Sequence, residues 1–220
     1  MPQNPLREAW TSAIRAEDYE AHMAAIGQAQ ANAALVADFS RAHPPPADSA
    51  VLFAGAGTGQ MFDFVPPSFL LPYRITFTDI NPLYLERLSA RLAAVEHLRY
   101  NTVVDDVEQT KLSPGFELIL AVLVLEHVDW RKAVATLCSL SSARVFIVMQ
   151  QNPPAAPAPM SATRPIPGSM NIFKQIHSQL LSPDEIATEF ARQGFQLEYS
   201  ANRMVADEKK MAALGFQRKL

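Results

Sequence analysis

Glycines at the end of a short apolar run form the clearest chemical pattern in the sequence. The segment 51–60, VLFAGAGTGQ, runs from apolar residues into Gly55, Gly57 and Gly59, although only 8 glycines occur in the whole chain. Glycines at a strand end let the backbone turn tightly and approach a ligand closely. We therefore predict a ligand-binding loop at residues 55–59, with a tight turn that binds no ligand as the alternative.

Acidic residues end the next two apolar runs. Asp79 lies 20 residues after Gly59, and Asp105 and Asp106 follow the third run. An ionised carboxylate accepts several hydrogen bonds, so Asp79 is suited to both hydroxyls of a ribose. An acceptor at the third strand end is suited to the exocyclic amine of an adenine. The alternative for Asp79 is to cap the following helix, a role that Asn81 already fills.

The spacing of the glycines separates two classes of nucleotide-binding protein. Dinucleotide folds use Gly-x-Gly-x-x-Gly, in which the extra residue accommodates a pyrophosphate at a helix N-terminus. This chain has Gly-x-Gly-x-Gly, and Pro66-Pro67 interrupts the helix that would follow. One acid for a ribose and another for an adenine favour a mononucleoside such as S-adenosylmethionine over NAD.

Short apolar runs alternating with helical stretches predict the fold that positions these residues. The runs lie at residues 51–54, 75–78, 100–104, 118–125 and 145–149. Strands buried on both faces and separated by helices are typical of a parallel sheet with right-handed crossovers. The clearest helix runs from Pro82 to Val95, and the segments 195–200 and 211–218 are predicted to pair as a terminal hairpin.

The segments around this sheet complete the predicted organisation. Residues 1–42 are predicted to be helical, with Asn4 as the first cap, and residues 1–48 to form a lid over a domain of residues 49–220. Late in the chain, Ser182 followed by a proline, and by a glutamate three residues on, predicts a capped helix. The chain is therefore interpreted as one compact α/β unit with a helical lid.

The composition excludes several classes of protein. The chain has 220 residues, of which 49% are hydrophobic and 19% charged, and its formal net charge is -3. These values are typical of a globular protein and give no global attraction for nucleic acid. The longest apolar run, Leu118–Leu125, is shorter than the roughly 20 residues of a membrane span. A single cysteine, Cys138, favours a reducing compartment. We expect a cytoplasmic protein without nucleic-acid or membrane partners and without a metal site.

Five segments of the chain occur in an order that is typical of one enzyme family. They are VLFAGAGTGQ (51–60), TFTDINPLYLERL (76–88), VVDDVEQ (103–109), FELILAVLVLEHV (116–128) and LSPDEIATEFARQGFQLE (181–198). Together they make the chain resemble the class I S-adenosylmethionine-dependent methyltransferases. The resemblance implies a Rossmann-like three-layer sandwich whose mostly parallel seven-stranded sheet has an antiparallel last strand. It also implies S-adenosylmethionine as cofactor and S-adenosylhomocysteine as product.

The resemblance further implies roles for particular residues. The glycine loop, Gly55-Ala56-Gly57-Thr58-Gly59, would hold the methionine part of the cofactor, and Asp79 with Ile80 its ribose. Asp106 with the Val107 backbone would hold the adenine, with Asp105 as a near-equal candidate. Residues Ala121, Val122 and Leu123 would face the sulfonium. Tyr19, on the helical lid, is predicted to contact the cofactor, with a position in the core as the alternative.

Two positions depart from the family pattern. Phe53 stands where the family usually has an acidic residue that anchors the loop and the ammonium end of the cofactor, and Glu117 stands where aspartate is commoner. The first departure bears on cofactor affinity. It keeps open the alternative of a non-catalytic module that binds S-adenosylmethionine or S-adenosylhomocysteine and acts through a partner. A nicotinamide-dependent oxidoreductase is a third hypothesis, which the glycine spacing disfavours.

Candidate catalytic residues follow from the chemistry of methyl transfer. Positioning supplies much of the rate, and a general base helps when the acceptor is a hydroxyl or a protonated amine. Glu126-His127 lies just beyond the fourth strand, and histidine titrates near neutrality; a structural role in the turn is the alternative. His22 lies four residues after Asp18 and is a candidate for an orienting pair with it, or for a surface pair that only stabilises the helix.

Residues 150–179 are predicted to shape the pocket of the methyl acceptor. Six prolines lie between residues 153 and 167, charges are few, and the apolar residues include Met160, Met170 and Phe173. Such a composition is typical of a semi-rigid apolar loop, with a surface linker as the alternative. His177 lies in this segment and is either part of the pocket or a surface residue. We predict a small, partly apolar acceptor that is methylated on oxygen or nitrogen.

Overall fold

The computed structural model describes residues 5–152, 166 and 168–219, in which seven strands form one sheet. The strands are β1 (Ala50–Ala54), β2 (Arg74–Asp79), β3 (Arg99–Val104), β4 (Phe116–Val122), β5 (Ser141–Gln151), β6 (Phe195–Met204) and β7 (Lys210–Arg218). Their order is β3-β2-β1-β4-β5-β7-β6. Strands β1 to β5 are parallel, whereas β7 runs antiparallel to both β5 and β6. The predicted sheet and its terminal hairpin are confirmed.

The helices depart from the sequence prediction near the start of the chain. The helices of the described residues are α1 (Pro5–Glu8), α2 (Ala16–Ala25), α3 (Gln28–Ala42), α4 (Pro82–Leu92), α5 (Trp130–Leu140) and α6 (Pro183–Arg192). A π-helical turn follows α1, and Ile14 and Arg15 are extended. Gly27, with a φ of 68°, separates α2 from α3, because a left-handed residue ends a right-handed helix. The predicted helical segment of residues 1–42 is therefore interrupted at residues 14–15 and at Gly27, and the predicted Asn4 cap lies outside the described residues.

Helix starts around the sheet follow the predicted signals in most cases. The Asn81 side chain accepts a hydrogen bond from the Leu83 N–H at 3.0 Å and caps α4. Helix α6 begins at Pro183 as predicted, but Ser182 makes no side-chain capping bond. After the glycine loop only short 3-10 turns form, at Gln60–Asp63 and Pro67–Phe69. The prolines thus leave no long helix against the loop, as predicted.

Each face of the sheet is covered by its own apolar layer. One layer contains Phe39, Phe53, Phe77, Leu88 and Phe146. The other contains Leu52, Ile119, Trp130, Phe190 and Phe216. Successive residues of a strand point to opposite faces, which is why the neighbours in β1 belong to different layers. The three-layer arrangement predicted from the sequence is confirmed.

A third apolar cluster lies over the carboxyl ends of the strands. In this cluster, Leu6 and Ile14 of the N-terminal helical segment (residues 5–42) pack with Met170, Phe173 and Tyr84. Tyr84 lies in the first turn of α4. The Tyr84 hydroxyl donates to the Ile14 carbonyl at 3.1 Å. Packing of this kind covers a functional edge of an open α/β sheet. Within the described ranges, no helix is both long enough and apolar enough to cross a membrane.

Candidate functional site

The carboxyl ends of β1 to β4 border a cleft with about 780 Å³ of empty space, which we call the strand-end cleft. It is lined by most of the residues predicted to bind the cofactor: Gly55, Gly57, Asp79, Ile80, Asp105, Asp106, Val107, Val122, Leu123 and Tyr19. Parallel strands present their carboxyl ends at one edge, so residues far apart in the sequence meet there. The structure therefore brings the glycines and the carboxylates together.

Gly55 is required by the close approach of two chain segments. Its φ is 64°, and a Cβ placed on it would lie 2.5 Å from Val124 Cγ2, in the turn after β4. Real Cβ atoms do not approach so closely, and left-handed backbone strains any L residue with a side chain. At Gly57 a Cβ would meet Tyr19 at 3.6 Å, which is ordinary contact. The loop thus passes tightly between the end of β4 and the N-terminal helical segment.

Asp79 organises the glycine loop as well as lining the cleft. Its Oδ2 accepts from the Gly57 N–H and its Oδ1 from the Asn81 N–H, both at 2.9 Å. Each oxygen keeps a second lone pair for a ligand. The side chain is only 9% exposed, and burial raises the pKa of Asp79 to about 6 despite those two hydrogen bonds. Asn81 alone caps α4, so capping does not account for Asp79.

The two acids after β3 differ in their partners. Asp105 accepts from the Thr110 hydroxyl at 2.7 Å and from the Lys111 N–H at 2.9 Å, which folds the following loop onto it. Asp106 accepts from the Glu108 N–H through Oδ1, and its Oδ2 pairs with the Arg7 guanidinium of α1. Sequence reasoning missed Arg7, because the contact joins residues 99 positions apart.

A second cavity, the adjoining pocket, lies beside the strand-end cleft and has about 570 Å³ of empty space. The two cavities share the lining residues Trp10, Tyr19, Leu123 and His127. The adjoining pocket also contains Met23, Met170, Phe173 and Leu180, and the polar residues His22, Gln28, Glu126, Gln150, Ser178 and Gln179. Residues from the segment predicted to select the acceptor therefore reach this pocket, whereas Met160 lies outside the described residues.

Glu126 and His127 have different environments. Glu126 is 4% exposed, its Oε1 accepts from the Gln150 N–H at 2.7 Å, and its Oε2 has no hydrogen-bond partner among the residues that the structure describes. Burial raises the pKa of Glu126 to about 7. His127 Nδ1 lies 3.0 Å from the Ser178 hydroxyl. The centroids of the His127 and Trp10 rings are 4.7 Å apart, and burial lowers the pKa of His127 to about 4. The expectation that His127 titrates near neutrality is therefore not met.

The other candidate histidines do not keep their predicted arrangement. Asp18 accepts from the N–H and the hydroxyl of Ser169, both at 2.7 Å, so the predicted Asp18–His22 pair is not formed. Ser169 reaches α2 through tertiary packing, which outcompetes the i,i+4 contact. His22 is 8% exposed and lines the adjoining pocket. Burial, with a further contribution from Lys209, lowers its pKa. His177 is exposed and lines neither cavity, which agrees with the surface alternative.

The end of β4 shows which of its predicted residues face the cavities. Ala121 is 1% exposed and packs in the apolar layer on the opposite face of the sheet, so it does not line the strand-end cleft as its predicted role would require. Strand alternation sends Val122 to the other side, where it lines the cleft together with Leu123. Leu123 has a φ of 58°, a conformation that costs about 1–2 kcal/mol for such a residue.

A third cavity, the loop pocket, lies under the glycine loop and has about 490 Å³ of empty space. Ala56, Thr58 and Gly59 line it, together with Phe53. The Phe53 ring stacks on that of Phe77, with 5.2 Å between the ring centroids. Asn32 and Gln60 also line it, and each has a side-chain carbonyl oxygen that is buried without a partner. Gln60 could have been suspected from its place after the last glycine, whereas Asn32 carries no sequence signal.

Comparisons with known proteins agree with this geometry. Residues 52–143 match a family model described as a methyltransferase domain. A search of proteins with known functions finds no significant match to the sequence. Three similar solved structures are the magnesium protoporphyrin IX methyltransferase ChlM of Synechocystis PCC 6803, the N-methyltransferase NodS of Bradyrhizobium japonicum WM9 and the 4+2 cyclase SpnF.

These structures show the fold at low sequence identity. ChlM is 13% identical, with 88% of this chain and 84% of that chain covered and a TM-score of 0.66. NodS is 16% identical, with 85% of each chain covered and a TM-score of 0.59. SpnF is 11% identical, with 86% of this chain and 82% of that chain covered and a TM-score of 0.65. The family match spans the glycine loop and all three acids at the strand ends. Over residues 52–143 the chain is therefore similar to methyltransferase domains, and its sheet order is that of the fold shared with these solved structures.

Proposed function

We propose that the protein transfers a methyl group from S-adenosylmethionine to a small, partly apolar molecule. The observation that carries the proposal is the pair of adjoining cavities with four shared lining residues. A cofactor in the strand-end cleft and an acceptor in the adjoining pocket would meet between them. The bound cofactor supplies an electrophilic methyl group on a sulfonium, and the chain supplies alignment and exclusion of water.

The acids of the strand-end cleft are assigned to the nucleoside. Asp79 would accept the ribose hydroxyls, because both of its oxygens keep a free lone pair. Asp106 with the Val107 backbone is assigned to the adenine amine, with Asp105 as a near-equal candidate, because both carboxylates line the cleft and each already accepts two hydrogen bonds. Arg7, Trp10 and Tyr19 line the same cleft from the N-terminal helical segment. Their position supports the proposal that residues 1–48 act as a lid on the domain of residues 49–220.

Asn32 and Gln60 are assigned to the amino-acid end of the cofactor. They would take the role of the acidic residue that the family usually has at the position of Phe53. Phe53 is buried among aromatic rings and offers no hydrogen bond. The two unpartnered carbonyl oxygens of the loop pocket are acceptors that suit an ammonium group. Because these acceptors are neutral, the charge on the ammonium would be balanced less than in relatives with an acid there.

Asn32→Leu tests this assignment with two ligands. Hydrogen bonds to charged groups contribute about 1.5–3 kcal/mol, so we expect S-adenosylhomocysteine to bind roughly 10- to 100-fold more weakly. Methylthioadenosine lacks the amino-acid end and is expected to keep its affinity. Isothermal titration calorimetry of both ligands on wild type and variant measures the difference. Equal losses for the two ligands would assign Asn32 to general packing instead.

A second hypothesis is a non-catalytic module that binds the same cofactor and acts through a partner. The absence of an acid at Phe53 favours it, and the 4+2 cyclase among the similar structures shows that this fold occurs in a protein named for another reaction. The free, buried Cys138 supports a reducing compartment such as the cytoplasm under either hypothesis.

A thermal melt with S-adenosylmethionine, S-adenosylhomocysteine or NAD tests cofactor binding. A ligand at 100 times its Kd adds about 2.7 kcal/mol to the free energy of unfolding, or roughly 5–10 °C for a chain of this length. We expect this rise with the two sulfur nucleosides and none with NAD. Stabilisation by NAD alone would contradict the proposed cofactor. Methyl transfer to a panel of small acceptors, followed by mass spectrometry, then separates the enzyme from the binding module.

A further inference from the structure

We infer that Glu126 accepts the proton of the methyl acceptor and that the acceptor is an uncharged hydroxyl compound with an apolar body. The inference rests on the proposed function, because it takes the adjoining pocket as the acceptor site. It assigns the reaction to oxygen and the proton to Glu126, not to the neighbouring histidine.

Glu126 is the unmatched hydrogen-bond acceptor of this pocket. One of its carboxylate oxygens accepts a hydrogen bond from the Gln150 N–H at 2.7 Å. The other oxygen has no partner among the described residues, and the side chain is only 4% exposed, so bulk water does not satisfy it. A buried carboxylate oxygen without a partner is costly, and such groups concentrate at functional sites. The bond to Gln150 fixes the carboxyl group in place. A proton donor on the acceptor would satisfy the remaining oxygen.

Trp10, which lines both this pocket and the strand-end cleft, has a hydrogen-bond donor without a partner among the described residues. That donor is the buried indole Nε1–H, and the ring lies against His127 and Phe173. A hydroxyl oxygen has two lone pairs, so it can accept from Trp10 with one and attack a methyl group with the other. A neutral amine has a single lone pair and cannot do both. The pair of unmatched groups therefore favours a hydroxyl over an amine.

The remaining lining describes the body of the acceptor. Met23, Met170, Phe173 and Leu180 supply apolar and aromatic surface. Among the described residues of this lining there is no lysine or arginine to neutralise a carboxylate or a phosphate. The titratable groups that share the pocket with Glu126 are Tyr19, His22 and His127. We expect the pocket to favour a neutral aromatic or alicyclic alcohol over an anion.

The proposed step balances without a further reactant. The O–H bond of the acceptor breaks, and its proton passes to the free oxygen of Glu126. A bond forms between the acceptor oxygen and the methyl carbon as the carbon–sulfur bond breaks, and the sulfur keeps the electron pair and becomes neutral. Burial places the pKa of Glu126 at about 7, so the carboxylate is available as a base above neutrality. His127 is the weaker base, because burial lowers its pKa to about 4.

Matched naphthalene probes test the inference without a natural acceptor. Calorimetry at pH 8 on protein saturated with S-adenosylhomocysteine compares 2-naphthol, 2-methoxynaphthalene, 2-naphthoate and 2-naphthylmethylamine. We expect 2-naphthol to bind at least 10-fold more tightly than each of the other three. The methoxy compound cannot donate a proton, the naphthoate is an anion, and the amine is a cation. Equal affinities for the four, or preference for any probe other than the naphthol, would overturn the inference.

Two variants locate the effect. Glu126→Gln can keep the bond to the Gln150 N–H but puts an amide where the free oxygen was, and Trp10→Phe removes only the indole donor and part of the ring. Each is expected to weaken 2-naphthol binding about 10-fold, and Glu126→Gln, which lies in the adjoining pocket and not in the strand-end cleft, is expected to leave S-adenosylhomocysteine affinity unchanged. Glu117→Gln, at the opposite end of β4, is the control for loss of a carboxylate and should change neither affinity.

The outcomes separate this inference from the proposed function. Absence of S-adenosylhomocysteine binding in wild type would contradict the proposed cofactor and remove the basis of the inference. Binding of S-adenosylhomocysteine with 2-naphthol affinity that is the same in wild type and Glu126→Gln would leave the methyltransferase proposal standing and refute the role of Glu126.

Discussion

Gly55→Ala is expected to reduce the affinity for S-adenosylmethionine at least 100-fold. The added Cβ would lie 2.5 Å from Val124 Cγ2, so either the glycine loop or the turn after β4 must move. Both line the strand-end cleft, and the loop also donates a hydrogen bond from its Gly57 N–H to Asp79. Calorimetry with S-adenosylmethionine measures the loss, and thermal melting of the ligand-free protein shows whether the fold survives.

Gly27→Ala is the matched control for backbone strain. Its φ of 68° is close to the 64° of Gly55, but a Cβ there meets no atom within 4 Å. Both variants carry the left-handed strain of about 1–2 kcal/mol, and only Gly55→Ala adds the clash. Gly27→Ala should therefore lose stability and keep its affinity. Adding Val124→Ala to Gly55→Ala removes the clashing methyls and is expected to restore part of the affinity; no restoration would show that strain alone caused the loss.

Local features of the sequence were sufficient to predict the sheet and the strand-end loop. Buried runs between helices define a parallel sheet, and glycines and acids that end those runs must meet at its carboxyl edge. Gly55 and Asp79 could therefore be predicted from the sequence. Arg7, Trp10 and Asn32 could not, because each reaches the cavities through tertiary packing of the N-terminal helical segment. Spacing along a chain says nothing about such contacts.

The incorrect predictions also have physical causes. Ala121 was assigned to the site by the family resemblance, although the alternation of side chains along β4 places it in the opposite layer. Asp18 was expected to pair within its helix, but Ser169 offers it two donors. His127 was expected to titrate near neutrality. Burial among Trp10 and Phe173 disfavours its charged form, and the extent of burial is a property of the packed structure.

The second large effect is expected at Asp79, where Asp79→Ala should weaken S-adenosylhomocysteine binding by about 100-fold. The variant removes the charged acceptor assigned to the ribose, a loss of a few kcal/mol. It also frees the Gly57 N–H that orders the loop. Calorimetry measures the affinity, and Asn81→Ala, which removes a helix cap beside the site, is the control for local destabilisation. Wild-type affinity in Asp79→Ala would remove this residue from the site.

The raised pKa of Asp79 adds a pH dependence that distinguishes ligand binding from folding. The pKa is about 6 in the folded protein and about 3.9 in an unfolded chain, so the folded state binds the proton more tightly. Stability is therefore lost as the pH rises from about 4 to about 6, and two pKa units correspond to roughly 3 kcal/mol. Affinity for the cofactor should change in the opposite direction, because the ribose hydroxyls require the charged acceptor.

Asp79→Asn tests both signs in one protein. An asparagine keeps one oxygen acceptor but has no charge to titrate, so its urea-unfolding free energy should fall by less than that of wild type between pH 5 and pH 7.5, while Glu126 and His127 titrate equally in both proteins. Its affinity for S-adenosylhomocysteine should be low and similar at both values, whereas that of wild type should be higher at pH 7.5. If wild type and variant respond to pH in the same way, the titrating group lies elsewhere. If they differ as expected, one buried carboxylate destabilises the ligand-free fold and strengthens cofactor binding, because its backbone hydrogen bonds offset only part of the cost of burying its charge until the ribose hydroxyls bind.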